Sequence, residues 1–260
     1  MAYTGGMAAL YQLWYADYPT SSFHFFNDND EWLQMDKVGH SYSAFHLAET
    51  GYLAAKYSCF NESQSIWIGG GAGLLFLTTV EIFDGFSDGW GASWGDVGAN
   101  TMGYLLFSTQ QHFWNEQRIR MKFSYFPSKY AQYRPDLLGN SFGSRMFKDY
   151  NAQTYWLSVS PASFFEGKNK WPEWLAISLG YSGDGMTGGS NNPEYVDGKP
   201  IPSFTRQRQY YLSLDLNLAA IHTRSKVLNT VLHAVNLVKT PFPAASLNKT
   251  DGFKFHALYF

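Results

Sequence analysis

Asp36, Lys37 and His40 stand together in the stretch EWLQMDKVGHSYSAFHLAETGYLAAKY, residues 31–57. Asp36 and His40 are four apart, so on a helix they share a face. Ser43, Ala44, Leu47, Gly51 and Ala54 continue that face with mostly small residues. Asp96 and Asn100 repeat the spacing, with Ala99, Gly103 and Phe107 on or near their face, and Asp84 follows Glu81 by three residues. Small residues let helix backbones approach closely. Polar groups between such helices must find one another, because an unpaired buried charge is costly. The pattern therefore predicts one polar cluster shared by three helices.

Two kinds of chemistry suit such a cluster. His40 could act as a general base or a ligand, with Glu81, Asp84 and Asp96 as carboxylate partners and Asn100 beside them. The set His40, Glu81, Asp84 and Asp96 could also hold a divalent metal. No H-E-x-x-H or other specific metal pattern is present, so a hydrogen-bonded network that fixes helix register is favoured over catalysis. No cofactor is implied: no dinucleotide fingerprint follows a strand, and there is no P-loop or G-x-S-x-G elbow. His46 reads as a packed or interfacial histidine, and His24 carries no pattern.

The elements that must position these residues change character near residue 118. Helices are expected over roughly 2–17, 32–57, 65–83 and 93–114. Asn27, Asp28, Asn29 and Asp30 are cap candidates for the second. The glycines of SIWIGGGAGLLFLTTVEIF cost helix propensity, which suits a segment against which another backbone packs. The stretch 2–17 lacks a basic n-region and is expected to be an interfacial or packed helix rather than a signal peptide.

From 119 onward apolar residues alternate. In QYYLSLDLNL, Tyr210, Leu212, Leu214, Leu216 and Leu218 alternate with Tyr211, Ser213, Asp215 and Asn217, one apolar face and one polar. Residues 174–182 and 154–160 read the same way, with weaker strands at 121–126 and 252–260 and a helix at 225–238. Residues 206–218 also fit a barrel strand, apolar outward and polar inward, and the chain stops on Phe260 as outer-membrane strands do. Five strand candidates fall short of the roughly eight a closed barrel needs. The expected fold class is thus α+β: a bundle of about four helices over 1–118, then an antiparallel β region over 119–260, an ordinary sheet or barrel-like, packed on the helices as one unit.

Composition narrows the setting. The 260 residues carry a net charge of -2, which gives no electrostatic case for nucleic acid. Charged residues are 15% of the chain and aromatics 18%, against about 25% charged in an average soluble domain. Few charges with many Trp and Tyr suit a membrane interface. A mean hydropathy of -0.27 is too polar for a conventional multi-span helical protein. The one cysteine, Cys59, excludes a disulfide framework and a Cys-based metal site.

The segments SSFHFFNDNDEWLQMDKVGHSYSAF, TTVEIFDGFSDGWGASWGDVGANTMGYLLF and KDYNAQTYWLS resemble the YfiM-like group of predicted periplasmic lipoproteins of unknown function, in the long form of its Bacteroidota members. The order of Asp36, Lys37, His40, Glu81, Asp84, Asp96, Asn100 and Gly103 is also similar, distantly, to VanZ-like membrane proteins. These resemblances imply an envelope location and no established reaction. The expected function is a cell-envelope protein, at the outer membrane or its periplasmic face, of structural or accessory role. Membrane lipid and other envelope proteins are its expected partners, and nucleic acid is not one. The alternative is a membrane-associated enzyme acting on a lipid or cell-wall intermediate through the His/carboxylate cluster. A third reading, a soluble binding module, predicts a concave aromatic surface near Trp90, Trp94, Trp156 and Trp171.

Overall fold

The computed structural model describes residues 5–8, 11–15, 19–165 and 171–260. The chain divides into two compact units, Met1–Asn115 and Glu116–Phe260. Its class is mixed: helices first, then an antiparallel sheet. The helix expected at 2–17 lies partly outside the described residues; within it, Tyr11–Tyr15 form one π-helical turn.

In the first unit, α1 spans Met35–Tyr57. It does not begin at residue 32 as expected. Trp32, Leu33 and Gln34 hold φ values of 48°, 53° and 63° and form a left-handed turn before the helix starts at the fully buried Met35. The helix Glu62–Gly85 (α2) opens on a capping box between Asn61 and Gln64 and passes through a π-helical turn at Ser65–Gly69. By length and composition it is apolar enough to cross a membrane. Here its glycines pack against α1. A side chain on Gly51 would run into the carbonyl oxygen of Gly69, and one on Gly73 would meet the backbone of Leu47 at 2.6 Å. The third helix, Trp94–Trp114 (α3), is capped by Ser93, whose Oγ accepts from the Asp96 amide. It meets α1 as closely: a side chain on Gly103 would strike the Ser41 carbonyl oxygen, while Ser41 Oγ donates to Ala99 O at 2.9 Å. Phe45 and Phe107 close the bundle edge to face at 5.9 Å.

The second unit is built on six strands: β1 (Ile119–Tyr125), β2 (Gln153–Val159), β3 (Leu175–Asp184), β6 (Gln207–Leu216), β7 (Phe242–Asn248) and β8 (Gly252–Tyr259), neighbours in that order and all antiparallel. A separate two-residue hairpin, β4 (Tyr195–Val196) with β5 (Lys199–Pro200), sits in the turn-rich connection. Two short helices, Pro135–Leu138 (α4) and Phe142–Lys148 (α5), lie between β1 and β2. The amphipathic α6, Lys226–Val235, lies between β6 and β7.

The sheet is not closed into a barrel, but it curls. Tyr259 on β8 packs its ring on Trp156 of β2 at 5.9 Å, although three strands separate them. Lys122 of β1 reaches Asp215 of β6 at 2.9 Å. Inside the curl the residues are polar. Lys122, Ser124, Ser158, Ser178, Ser182, Ser213, Asp215 and Ser246 are each at most 4% exposed. Asp215 accepts from Lys122, Ser158, Ser178, Leu216 N and both donors of Thr240, so its charge is fully engaged.

The outer face is apolar. The registers place Leu157, Leu179, Leu212, Leu214, Leu247, Phe253 and Phe255 on that side, between 36% and 71% exposed. A one-sided antiparallel sheet in water buries its apolar face; this one presents it. Trp156 is sealed in the interior at 1% exposure. The aromatic surface expected around Trp90, Trp94, Trp156 and Trp171 is therefore not formed with all four.

Two sets of variants test this packing by thermal unfolding. Gly98 has open space where a Cβ would go, so Gly98→Ala stabilises the helical unit by about 0.5–1 kcal/mol. Gly103→Ala gains the same propensity but overpacks the α1 contact and is destabilising by about 1–3 kcal/mol. In the sheet unit, Lys122→Met strands Asp215 and is destabilising by about 3–5 kcal/mol, while Lys122→Met with Asp215→Leu recovers most of that loss.

Candidate functional site

The three helices deliver their polar residues to one place. Lys37 lies at the centre of one half. Its Nζ is 2.7 Å from Asp28 Oδ1, 2.7 Å from Asp96 Oδ1 and 3.2 Å from Asp36 Oδ2. His40, one turn further along α1, lies at the centre of the other. Its Nε2 is 3.8 Å from Asp36 Oδ1 and 3.7 Å from Asp96 Oδ1; its Nδ1 is 3.0 Å from Asn100 Oδ1 and 3.6 Å from Glu81 Oε1. Side-chain exposure is 13% at Lys37, 19% at His40 and 23% at Asp36, so these three groups are partly accessible to solvent.

Local structure fixes each group. Asp36 occupies the first turn of α1, where the helix dipole favours a carboxylate, and Asp96 does the same on α3. Ser93 ties three elements together: its Oγ donates to Asp28 Oδ1 at 2.6 Å, its amide donates to Glu81 Oε2 at 3.2 Å, and it caps α3. Glu81, 3% exposed, has no hydrogen-bond partner at Oε1, and Asn100, 1% exposed, has none at Nδ2.

Acids outnumber bases here, and His40, Lys37, Glu81, Asp84 and Asp96 hold their protons more tightly than usual. Burial alone would lower the His40 imidazole, but Asp36, Asp96 and Glu81 outweigh it and raise its pKa to about 9. Burial works against the Lys37 ammonium too, yet the surrounding Asp36, Asp28 and Asp96 push its pKa up. Burial raises Glu81 and Asp96, the latter further through the charge of Asp36. Asp84 is raised to about 7, again by burial first, although the hydrogen bond from Tyr15 opposes the shift.

Of the residues singled out by spacing, His40, Glu81, Asp96 and Asn100 meet. Asp84 takes a different partner, accepting from the Tyr15 hydroxyl at 2.7 Å. Asp36 belongs to the cluster as strongly as any of them. Asp28 and Lys37 were not among the site candidates. Asp28 was a cap candidate, but it binds Lys37 and Ser93 instead. The signal for both was present: a lysine on a small-residue helix face needs a carboxylate, and acids precede that helix. His46 is buried, 8% exposed, and packs its ring on Tyr42 and Phe45.

Removing the central cation should be felt. Lys37→Met leaves Asp28, Asp36 and Asp96 facing one another, and the loss of unfolding free energy is about 2–3 kcal/mol after allowance for partial exposure. Asp28→Asn in that background restores part of it. Thermal unfolding of the three proteins, compared at one pH, checks both signs.

No curated protein and no solved structure matches the chain. Residues 24–109, which carry every member of the cluster described above except Tyr15, match the model of a family described as predicted periplasmic lipoprotein, DUF2279. The helical unit is thus similar to an envelope family whose function is unknown, and the similarity supports a place for this chain in the bacterial cell envelope.

Proposed function

We propose that this is an outer-membrane-associated protein of structural or accessory role, with lipid against the outer face of its sheet. The observation that carries the reading is the inverted patterning of the second unit. Five of the six strands turn exposed leucines or phenylalanines outward, and the sheet turns serines, Lys122 and Asp215 inward. That is the arrangement of a membrane-embedded strand set. At about 3.3 Å per residue, the ten-residue β3 and β6 are about 33 Å long, enough when tilted to cover an apolar band of roughly 25 Å. Tyr181 and Tyr210 pair at one end of these strands, with ring centroids 5.6 Å apart, as interfacial aromatics do. Near the other end, α6 exposes Val227, Leu228, Val231 and Val235 in one stripe, which suits a helix lying in the interface.

The reading makes a demand on the sheet's edges, since lipid tolerates no unpaired backbone. At the outer edge of β1, Phe123 exchanges hydrogen bonds with Leu237 and Lys239. β8 ends the sheet. In a membrane that edge pairs with a strand of an envelope protein partner or of another copy. The apolar face and the β8 edge together give the expected partners: membrane lipid and an envelope protein.

Fractionation tests the reading. The protein should sediment with outer membranes and resist a carbonate wash, and Leu212→Arg or Leu179→Arg should sharply reduce that recovery, at about 2–4 kcal/mol per lipid-facing charge. Recovery of the wild-type chain in the soluble fraction without detergent overturns it.

A further inference from the structure

We infer that Asp36, His40 and Asp96 form a binding site for a divalent first-row transition ion. One oxygen of each aspartate and one nitrogen of His40 lie within 4.8 Å of one another. Ligands at 2.0–2.2 Å from a tetrahedral ion are about 3.4 Å apart. The His40 Nε2 separations of 3.8 Å and 3.7 Å are each within half an ångström of that, and the two aspartate oxygens, within 4.8 Å of one another, draw together as the site closes on an ion.

The imidazole is set for the task from behind. Asn100 Oδ1 can only accept, so the 3.0 Å contact makes Nδ1 the protonated nitrogen of the neutral ring. When an ion displaces the proton on Nε2, the lone pair so freed faces the two aspartates. Metal-binding histidines are commonly held this way, by a polar group on the far nitrogen. A second observation points the same way. Glu81 is 3% exposed and directs an oxygen without a hydrogen-bond partner toward that same Nδ1, at 3.6 Å. A buried carboxylate behind the ring pairs with the imidazolium, and it continues to be offset when an ion on the other side replaces the ring's proton.

The charge count agrees. Asp28, Asp36, Glu81 and Asp96 surround Lys37 and His40. With a dication on a neutral imidazole the site stays slightly acidic rather than becoming positive. Lys37 shares Asp36 and Asp96 with the ion and keeps Asp28, already at 2.7 Å, as its own partner. One nitrogen and two oxygens favour zinc or manganese over magnesium or calcium.

The test uses the full chain in detergent, with Cys59→Ser to remove adventitious thiol binding, stripped with EDTA and titrated calorimetrically with ZnCl2 and MnCl2. One Zn2+ per chain is expected, with binding weakened at least ~10-fold in His40→Gln and in Asp36→Asn. Asn100→Ala, which releases the far nitrogen, should weaken it ~10- to 100-fold. Because these variants could misfold, the His40 ring nitrogens are also followed by 15N NMR in the Cys59→Ser protein. A zinc-induced shift of Nε2 that saturates with the calorimetric curve supports the site. Failure of the stripped, folded protein to bind either ion saturably overturns the proposal, as does unchanged affinity in folded His40→Gln and Asp36→Asn.

Discussion

A charge removed from water must be met by an opposite charge or by hydrogen bonds, and both units of this chain are organised around that requirement. In the helical unit, Lys37 gathers Asp28, Asp36 and Asp96 from the approach to α1, from α1 itself and from α3. In the sheet unit, Lys122 reaches across the curl to Asp215, whose other lone pairs are taken by serines, a threonine and backbone amides. Neither group could be buried alone. The helix spacing in one case and the sheet curvature in the other follow from bringing the partners together.

The helices were largely legible because small residues and polar pairs recur at helical spacing. The expected spans 32–57, 65–83 and 93–114 correspond to Met35–Tyr57, Glu62–Gly85 and Trp94–Trp114. The start of α1 was not legible. Trp32, Leu33 and Gln34 are ordinary residues with nothing to announce a left-handed turn. Three strands, β2, β3 and β6, announced themselves by alternation, and β1 and β8 more faintly. β7, Phe242–Asn248, did not: FPAASLN contains a proline and two alanines, and it is a strand because β6 and β8 flank it.

The candidate site was legible as a cluster and not as a set of bonds. Helical periodicity put His40, Asp96 and Asn100 on facing sides, and the structure brings them within 3.0–3.7 Å of one another's partners. Periodicity could not separate Glu81, which faces His40, from Asp84, which faces Tyr15, because three residues along a helix change the direction of a side chain only slightly. Nor could it assign Asp28, which comes from outside any regular element. The polarity of the sheet was visible in QYYLSLDLNL, but not which side faced outward.

The backbone contacts at Gly51, Gly69 and Gly103 limit how the bundle can respond to load. Helices separated by full side chains slide past one another as rotamers readjust. These have almost no side chain in the contact, and an axial displacement of one residue would drive a Cβ into a carbonyl. The bundle behaves as a stiff frame rather than a pliable one. The polar side chains at its centre are held at fixed separations, with little latitude for the backbone to move them apart.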